Sequence, residues 1–118
     1  METLLILVAI VVAFTIYKKL TAPKVTLVTK SQLNELMLDK KSKRSYIDVR
    51  TTDEFNQKKI KGFKNIPLQS LNKRASEIDK TAPVVLLCAS GARSMQAARI
   101  LSKLGYSDLI NVRGGIGH

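Results

Sequence analysis

The stretch Pro83-Val84-Val85-Leu86-Leu87-Cys88-Ala89-Ser90-Gly91-Ala92-Arg93-Ser94-Met95-Gln96-Ala97-Ala98-Arg99-Ile100-Leu101 decides the fold. Its first part is an unbroken apolar run of strand length, the pattern of a strand buried on both faces. Its last part continues to Leu104 with helical apolar spacing, and Gly105 is well suited to end such a helix. The chain's only cysteine therefore stands where a strand ends and a helix begins. Amides at a helix start have no intrahelical partner, and the helix dipole favours negative charge there. Those conditions lower a thiol's pKa and make it nucleophilic. Ala89, Ser90, Gly91 and Ala92 are small enough for the loop to turn its amides toward one point, an anion-binding nest. Gly91 is expected to supply a positive φ or a close amide approach. Ser90 is expected to donate its hydroxyl to the anion the loop holds, to cap the helix, or both. Arg93 closes the loop with a fixed positive charge.

The rest of the chain alternates strands with helices. Val25 to Val28 reads as a first strand, and Thr29-Lys30-Ser31-Gln32 has the spacing of a capping box opening a helix through Leu33, Leu36 and Met37. Tyr46 to Val49 is β-rich, Asp53 to Gln57 suits a short helix, and Ser70 is placed to cap a helix with Leu71, Ala75 and Ile78 on one side. Val84 to Leu87 delivers the cysteine, and Leu109 to Val112 is the last strand. This alternation predicts an α/β fold with a parallel sheet flanked by helices, with ligands at the C-terminal ends of the strands.

The cysteine loop resembles the active-site loop of the rhodanese-like sulfurtransferase family. Tyr46-Ile47-Asp48-Val49-Arg50 with Asp53-Glu54-Phe55, Ile60-Lys61-Gly62-Phe63-Lys64-Asn65-Ile66-Pro67 and Val112-Arg113-Gly114-Gly115 are similar to further family segments, in the family's order. The resemblance covers roughly residues 25 to 118. Two departures stand out. Lys59 occupies a position where the family usually has histidine. No counterpart of its final helix follows Gly114-Gly115-Ile116-Gly117-His118, which leaves a truncated chain and an unusually short domain as the two readings. The resemblance implies that Cys88 carries sulfane sulfur as a persulfide, with Ala89 to Arg93 binding the substrate. Asp48 and Arg50 match the family's Asp-x-Arg pair and are read as organisers of the surroundings, through an Arg50–Glu54 ion pair, rather than as catalysts.

What is missing shapes the mechanism. The only histidine is His118, at the very end, so no Cys–His pair is expected and a papain-like reading fails. The thiolate must be stabilised by amides, the helix terminus and Arg93. It would attack the outer sulfur of a donor such as thiosulfate, and cyanide or a cellular thiol would remove that sulfur. Four residues separate Cys88 from Arg93. The related phosphatase loop is one residue longer, and the resemblance implies that the tighter loop fits sulfur but not phosphate or arsenate. The competing functions are a non-enzymatic partner-binding module and, behind it, a phosphatase or arsenate reductase. No residues have metal-ligand spacing, and no cofactor is expected.

The N-terminal segment is a separate matter. Thr3 to Tyr17 is fifteen residues without a charge, while a span needs roughly 17–25. Met1 and snorkelling lysine stems can extend it. It is apolar all round, unlike a soluble surface helix. A signal peptide should carry its basic residues first. Here Glu2 precedes the run and Lys18-Lys19 follow it, the order of a signal anchor with the domain on the cytoplasmic side. The expected organisation is a transmembrane anchor over residues 1–20 and a domain over 21–118, joined by a short linker from Lys18 to Lys24. A lone cysteine fits a reducing compartment.

The net charge is +11, and 18 basic against 8 acidic residues after Leu20 leave +10 on the domain. Lys40-Lys41-Ser42-Lys43-Arg44 and Lys58 to Lys64 are basic clusters suited to an anionic lipid surface or anionic substrates. No aromatic residues interleave the lysines as a stacking surface would require, so nucleic acid is not an expected partner.

Overall fold

The computed structural model describes residues 1–21 and 24–117. The uncharged N-terminal run is one helix, α1 (Glu2–Thr21). Its segment Glu2–Leu20 has a mean hydropathy of 2.1 and is long and apolar enough to cross a membrane, criteria that a signal sequence also meets. The expected linker from Lys18 is shorter than the sequence suggests, because Lys18, Lys19 and Leu20 are good helix formers and carry α1 to Thr21. Ala22, Pro23 and His118 lie outside the described residues.

The domain runs β1 (Val25–Val28), α2 (Lys30–Leu38), β2 (Ser45–Asp48), α3 (Thr52–Gln57), β3 (Lys64–Asn65), α4 (Leu71–Arg74), β4 (Val84–Leu87), α5 (Ala92–Lys103) and β5 (Leu109–Val112). The strands form one parallel sheet in the order β1-β5-β4-β2-β3. This is the parallel sheet flanked by helices that the alternation of strands and helices predicts. β3 is only two residues long, pairing Lys64 with Ile47 and Asn65 with Asp48, too brief for any alternation to announce it.

Central β4 is buried at all four residues. Val84, Leu86 and Cys88 pack on one face with Leu71, Ala97 and Leu101, and Val85 and Leu87 pack on the other with Leu33, Phe63 and Ile116. A strand covered on both sides has no solvent face, so its sequence is a continuous apolar run. Thr29 and Gln32 make both halves of their capping box, and Thr51 with Glu54 makes a second one at α3.

The helix expected behind Ser70 takes a different form. A 3₁₀ turn at Leu68–Ser70, the single turn α4 and a second 3₁₀ turn at Ala75–Glu77 follow one another. Ser70 has a helical backbone and makes no side-chain cap. Leu71, Ala75 and Ile78 are buried as their spacing requires. The run breaks where the buried Tyr106 hydroxyl reaches the carbonyls of Ala75 and Ile78 (2.5 and 2.8 Å), groups that a continuing α-helix would have used.

Candidate active site

β2 and β4 are parallel neighbours, so their C-terminal ends bring Asp48-Val49-Arg50 alongside Cys88, with the Val49 amide donating to Leu87 O at 2.9 Å. The chain then turns through Ala89 and Ser90 into Gly91, the N-cap of α5, whose φ of +101° is open to glycine at little cost. This turn aims the Gly91 amide at the Cys88 sulfur, 2.9 Å away.

The loop's outward carbonyls are held from behind. Ile116 N donates to Cys88 O at 2.8 Å and Gly117 N to Ala89 O at 3.0 Å. Two consecutive left-handed glycines, Gly114 and Gly115 (φ +76° and +62°), let the backbone after β5 come close enough to make those bonds. Anchoring the carbonyls on one side leaves the amides facing the other, toward the sulfur.

A hydroxyl joins the Gly91 amide beside the sulfur. Ser94 Oγ is 3.3 Å from Cys88 Sγ, 3.0 Å from Gly91 O and 2.5 Å from Asn111 Oδ1. Ser94 and Asn111 are both buried, on α5 and β5 respectively. In sequence Ser94 looks like an ordinary first-turn residue and Asn111 like a polar interruption of a strand. The signal that could have found them is that pairing: a polar residue in an otherwise apolar buried strand needs a partner. Ser90 is exposed, and the hydroxyl that reaches the Cys88 sulfur belongs to Ser94.

Burial pushes the Cys88 thiol up. The Ser94 hydroxyl and the amides of Ser94, Gly91 and Ser90 push it down, and together they leave it below its ordinary value. The loop therefore favours a thiolate on a residue with no exposed surface in this conformation.

The charged residues are paired differently from the expected pattern. Arg50 turns inward onto Asp48, with Nη2 2.7 Å from Oδ2, and it also donates to the carbonyls of Glu54 and Lys58. Asp48 is wholly buried and Arg50 nearly so, so neither charge can be left without the other. The expected Arg50–Glu54 ion pair is absent because Glu54 belongs to Arg93. Arg93 Nη1 and Nη2 donate to the two Glu54 carboxylate oxygens at 2.6 and 2.8 Å. That bidentate bond holds the Glu54 carboxyl down at about 2 and raises Arg93. Ala92, the first residue of α5, is exposed. Beside Arg93 lies a cleft of about 390 Å³ floored by Val49 and Leu68 and edged by Thr51, Thr52, Gln69 and Ser70.

Comparisons with known proteins point to one family. A family model described as a rhodanese-like domain matches residues 29–117. A sulfurtransferase of Allochromatium vinosum is 43% identical over 70 residues, covering 59% of this chain and 65% of that protein. The thiosulfate sulfurtransferase PspE of Escherichia coli is 37% identical over 71 residues, covering 58% and 68%. The crystal structure of a rhodanese-like domain protein from Staphylococcus aureus superposes with a TM-score of 0.71 at 27% identity, covering 77% of this chain and 87% of that one. The chain spans less than two thirds of the length of several curated relatives it matches.

Proposed function

Because the chain belongs to the rhodanese-like domain family, we propose that it is a sulfurtransferase working through a persulfide on Cys88. The observation that carries this reading is the convergence of the Gly91 amide and the Ser94 hydroxyl on a single thiol whose pKa they lower. The Cys88 thiolate attacks the outer sulfur of a donor. With thiosulfate the new S–S bond forms as the old one breaks, and sulfite leaves with the electron pair. The terminal sulfur of the resulting Cys88–S–S⁻ is again an anion, which suits a site of amide donors at a helix start. An acceptor, cyanide in an assay or a thiol in a cell, attacks that terminal sulfur and regenerates the thiolate. Every charge created is one that the same donors can hold, so no histidine base is required.

The substrates are thus a small sulfur donor and a thiophilic acceptor. α1 serves as a single-pass anchor that keeps the domain against the cytoplasmic side of the cell membrane, a reading supported by the acidic residue before the apolar run and the two lysines after it. The basic clusters would then face anionic lipid.

The test is thiocyanate formation by the full chain from thiosulfate and cyanide, beside Cys88→Ser. Turnover that needs the thiol supports the reading. Equal turnover by a folded Cys88→Ser protein refutes it.

A further inference from the structure

The loop's one cation is already spent on a carboxylate. Both terminal nitrogens of Arg93 donate to Glu54, and Glu54 is fixed from behind by the amide and hydroxyl of Thr51 (3.2 and 3.0 Å). The Asp48–Arg50 pair beside it is likewise neutral as a unit and almost without exposure. With Cys88 ionised, the side chains of Cys88, Arg93, Glu54, Asp48 and Arg50 together sum to one negative charge. Lys59 lies over the Phe55 ring and Lys64 pairs with Glu77. The domain's overall positive field is screened over about 8 Å at physiological salt. The cleft next to Arg93 has the volume of an organic ligand rather than of an inorganic ion, and its edge of Thr51, Thr52, Gln69 and Ser70 offers uncharged hydrogen-bonding groups.

We propose that Glu54 is a specificity-determining residue: by neutralising Arg93 it selects a thiol persulfide on an uncharged polar group as sulfur donor and disfavours the thiosulfate dianion. This rests on the sulfurtransferase reading. In the favoured step the Cys88 thiolate attacks the outer sulfur of R–S–SH. The Cys88–S bond forms, the donor S–S bond breaks, the proton stays on the transferred sulfur, and R–S⁻ leaves with the electron pair. The donor arrives neutral, and the negative charge that began on the Cys88 thiolate departs on R–S⁻. With thiosulfate a dianion must approach a thiolate beside which Arg93 and Arg50 are both already paired.

The experiment follows sulfur addition to the full chain in neutral detergent by intact-mass spectrometry. It uses the persulfide of 2-mercaptoethanol, whose organic group is an uncharged hydroxyl, together with thiosulfate and methanethiosulfonate, a thiosulfate analogue with one charge fewer. Wild type should load from methanethiosulfonate at least about tenfold faster than from thiosulfate, the low end of what one charge does to the approach of an ion. Glu54→Gln keeps the capping-box amide while freeing Arg93. It should raise the thiosulfate rate about tenfold and change the 2-mercaptoethanol persulfide rate by less than about twofold. Unchanged thiosulfate loading in folded Glu54→Gln overturns the inference while leaving the sulfurtransferase reading intact. Should that variant fail to fold, equal loading of wild type by thiosulfate and methanethiosulfonate overturns it instead. Absence of loading from every donor overturns both.

Discussion

Gly115 packs against the backbone of Cys88 so closely that a Cβ on it would lie 2.3 Å from the Cys88 carbonyl oxygen. The contact belongs to the strap in which Ile116 and Gly117 bind the loop's carbonyls. The segment after β5 is therefore part of the cysteine's support. Gly115→Ala meets both that clash, against rigid backbone, and a φ of +62°. It should cost about 2–4 kcal/mol, from left-handed strain together with displaced packing. Thermal melting would show the loss. Alkylation of Cys88 should change as well, because the loop must shift to relieve the contact.

Ser94 should matter more to the chemistry than Ser90. Ser94→Ala removes the hydroxyl beside the sulfur, a contact to a charged group worth about 1.5–3 kcal/mol, so the thiol's pKa should rise by about one to two units. The thiolate is the reactive form and its pKa is held below the ordinary value, so wild-type alkylation rises with pH through that lowered midpoint. The variant's curve should lie at higher pH, with slower alkylation at neutrality. Ser94→Thr should restore most of the difference, and Ser90→Ala should leave the midpoint in place.

Asp48→Ala should unfold much of the population. It strands the guanidinium of a nearly buried Arg50, and breaking a buried pair from one side costs about 3–5 kcal/mol. That is a large share of the about 5–15 kcal/mol that holds a domain together. Urea denaturation should show a midpoint shifted far down with an unchanged slope.

The loop should not support phosphoryl chemistry. Four residues separate Cys88 from Arg93, and both terminal nitrogens of Arg93 point to Glu54. Aryl phosphate hydrolysis by wild type should equal that of Cys88→Ser. A cysteine-dependent rate rivalling sulfur transfer would reverse the ranking of the two chemistries.

Much of the frame is legible along the chain, because β4 and α5 are local patterns. An apolar run buried on both faces, a glycine at the turn and a helical apolar stripe need no knowledge of the rest. β1, β4 and β5 fall on the residues their composition marks, and the Thr29 capping box closes as its spacing requires. What escapes a linear reading depends on partners far apart in sequence. Arg93 and Glu54 are 39 residues apart, while Arg50 and Glu54 have the spacing of an ordinary helical pair and so attract the wrong assignment. Burial decides it: Arg50 lies inside against Asp48, leaving Glu54 to the loop. Ser94 gains its place from Asn111 across the α5–β5 packing, which no local spacing signals. Ser70 looks like a cap, yet Tyr106 imposes a broken helix from 36 residues away, and the deciding hydroxyl bonds lie wholly in the tertiary fold.

The central claim is that sulfur passes through Cys88, and intact-mass analysis with peptide mapping tests it most directly. The full chain, incubated with a sulfane sulfur donor and desalted, should gain the mass of one sulfur atom on the peptide bearing Cys88. Adding cyanide should remove that mass and release thiocyanate in equal amount. A protein that turns over donor and acceptor without ever carrying sulfur on Cys88, or a folded Cys88→Ser variant that turns over as well as wild type, would contradict the account.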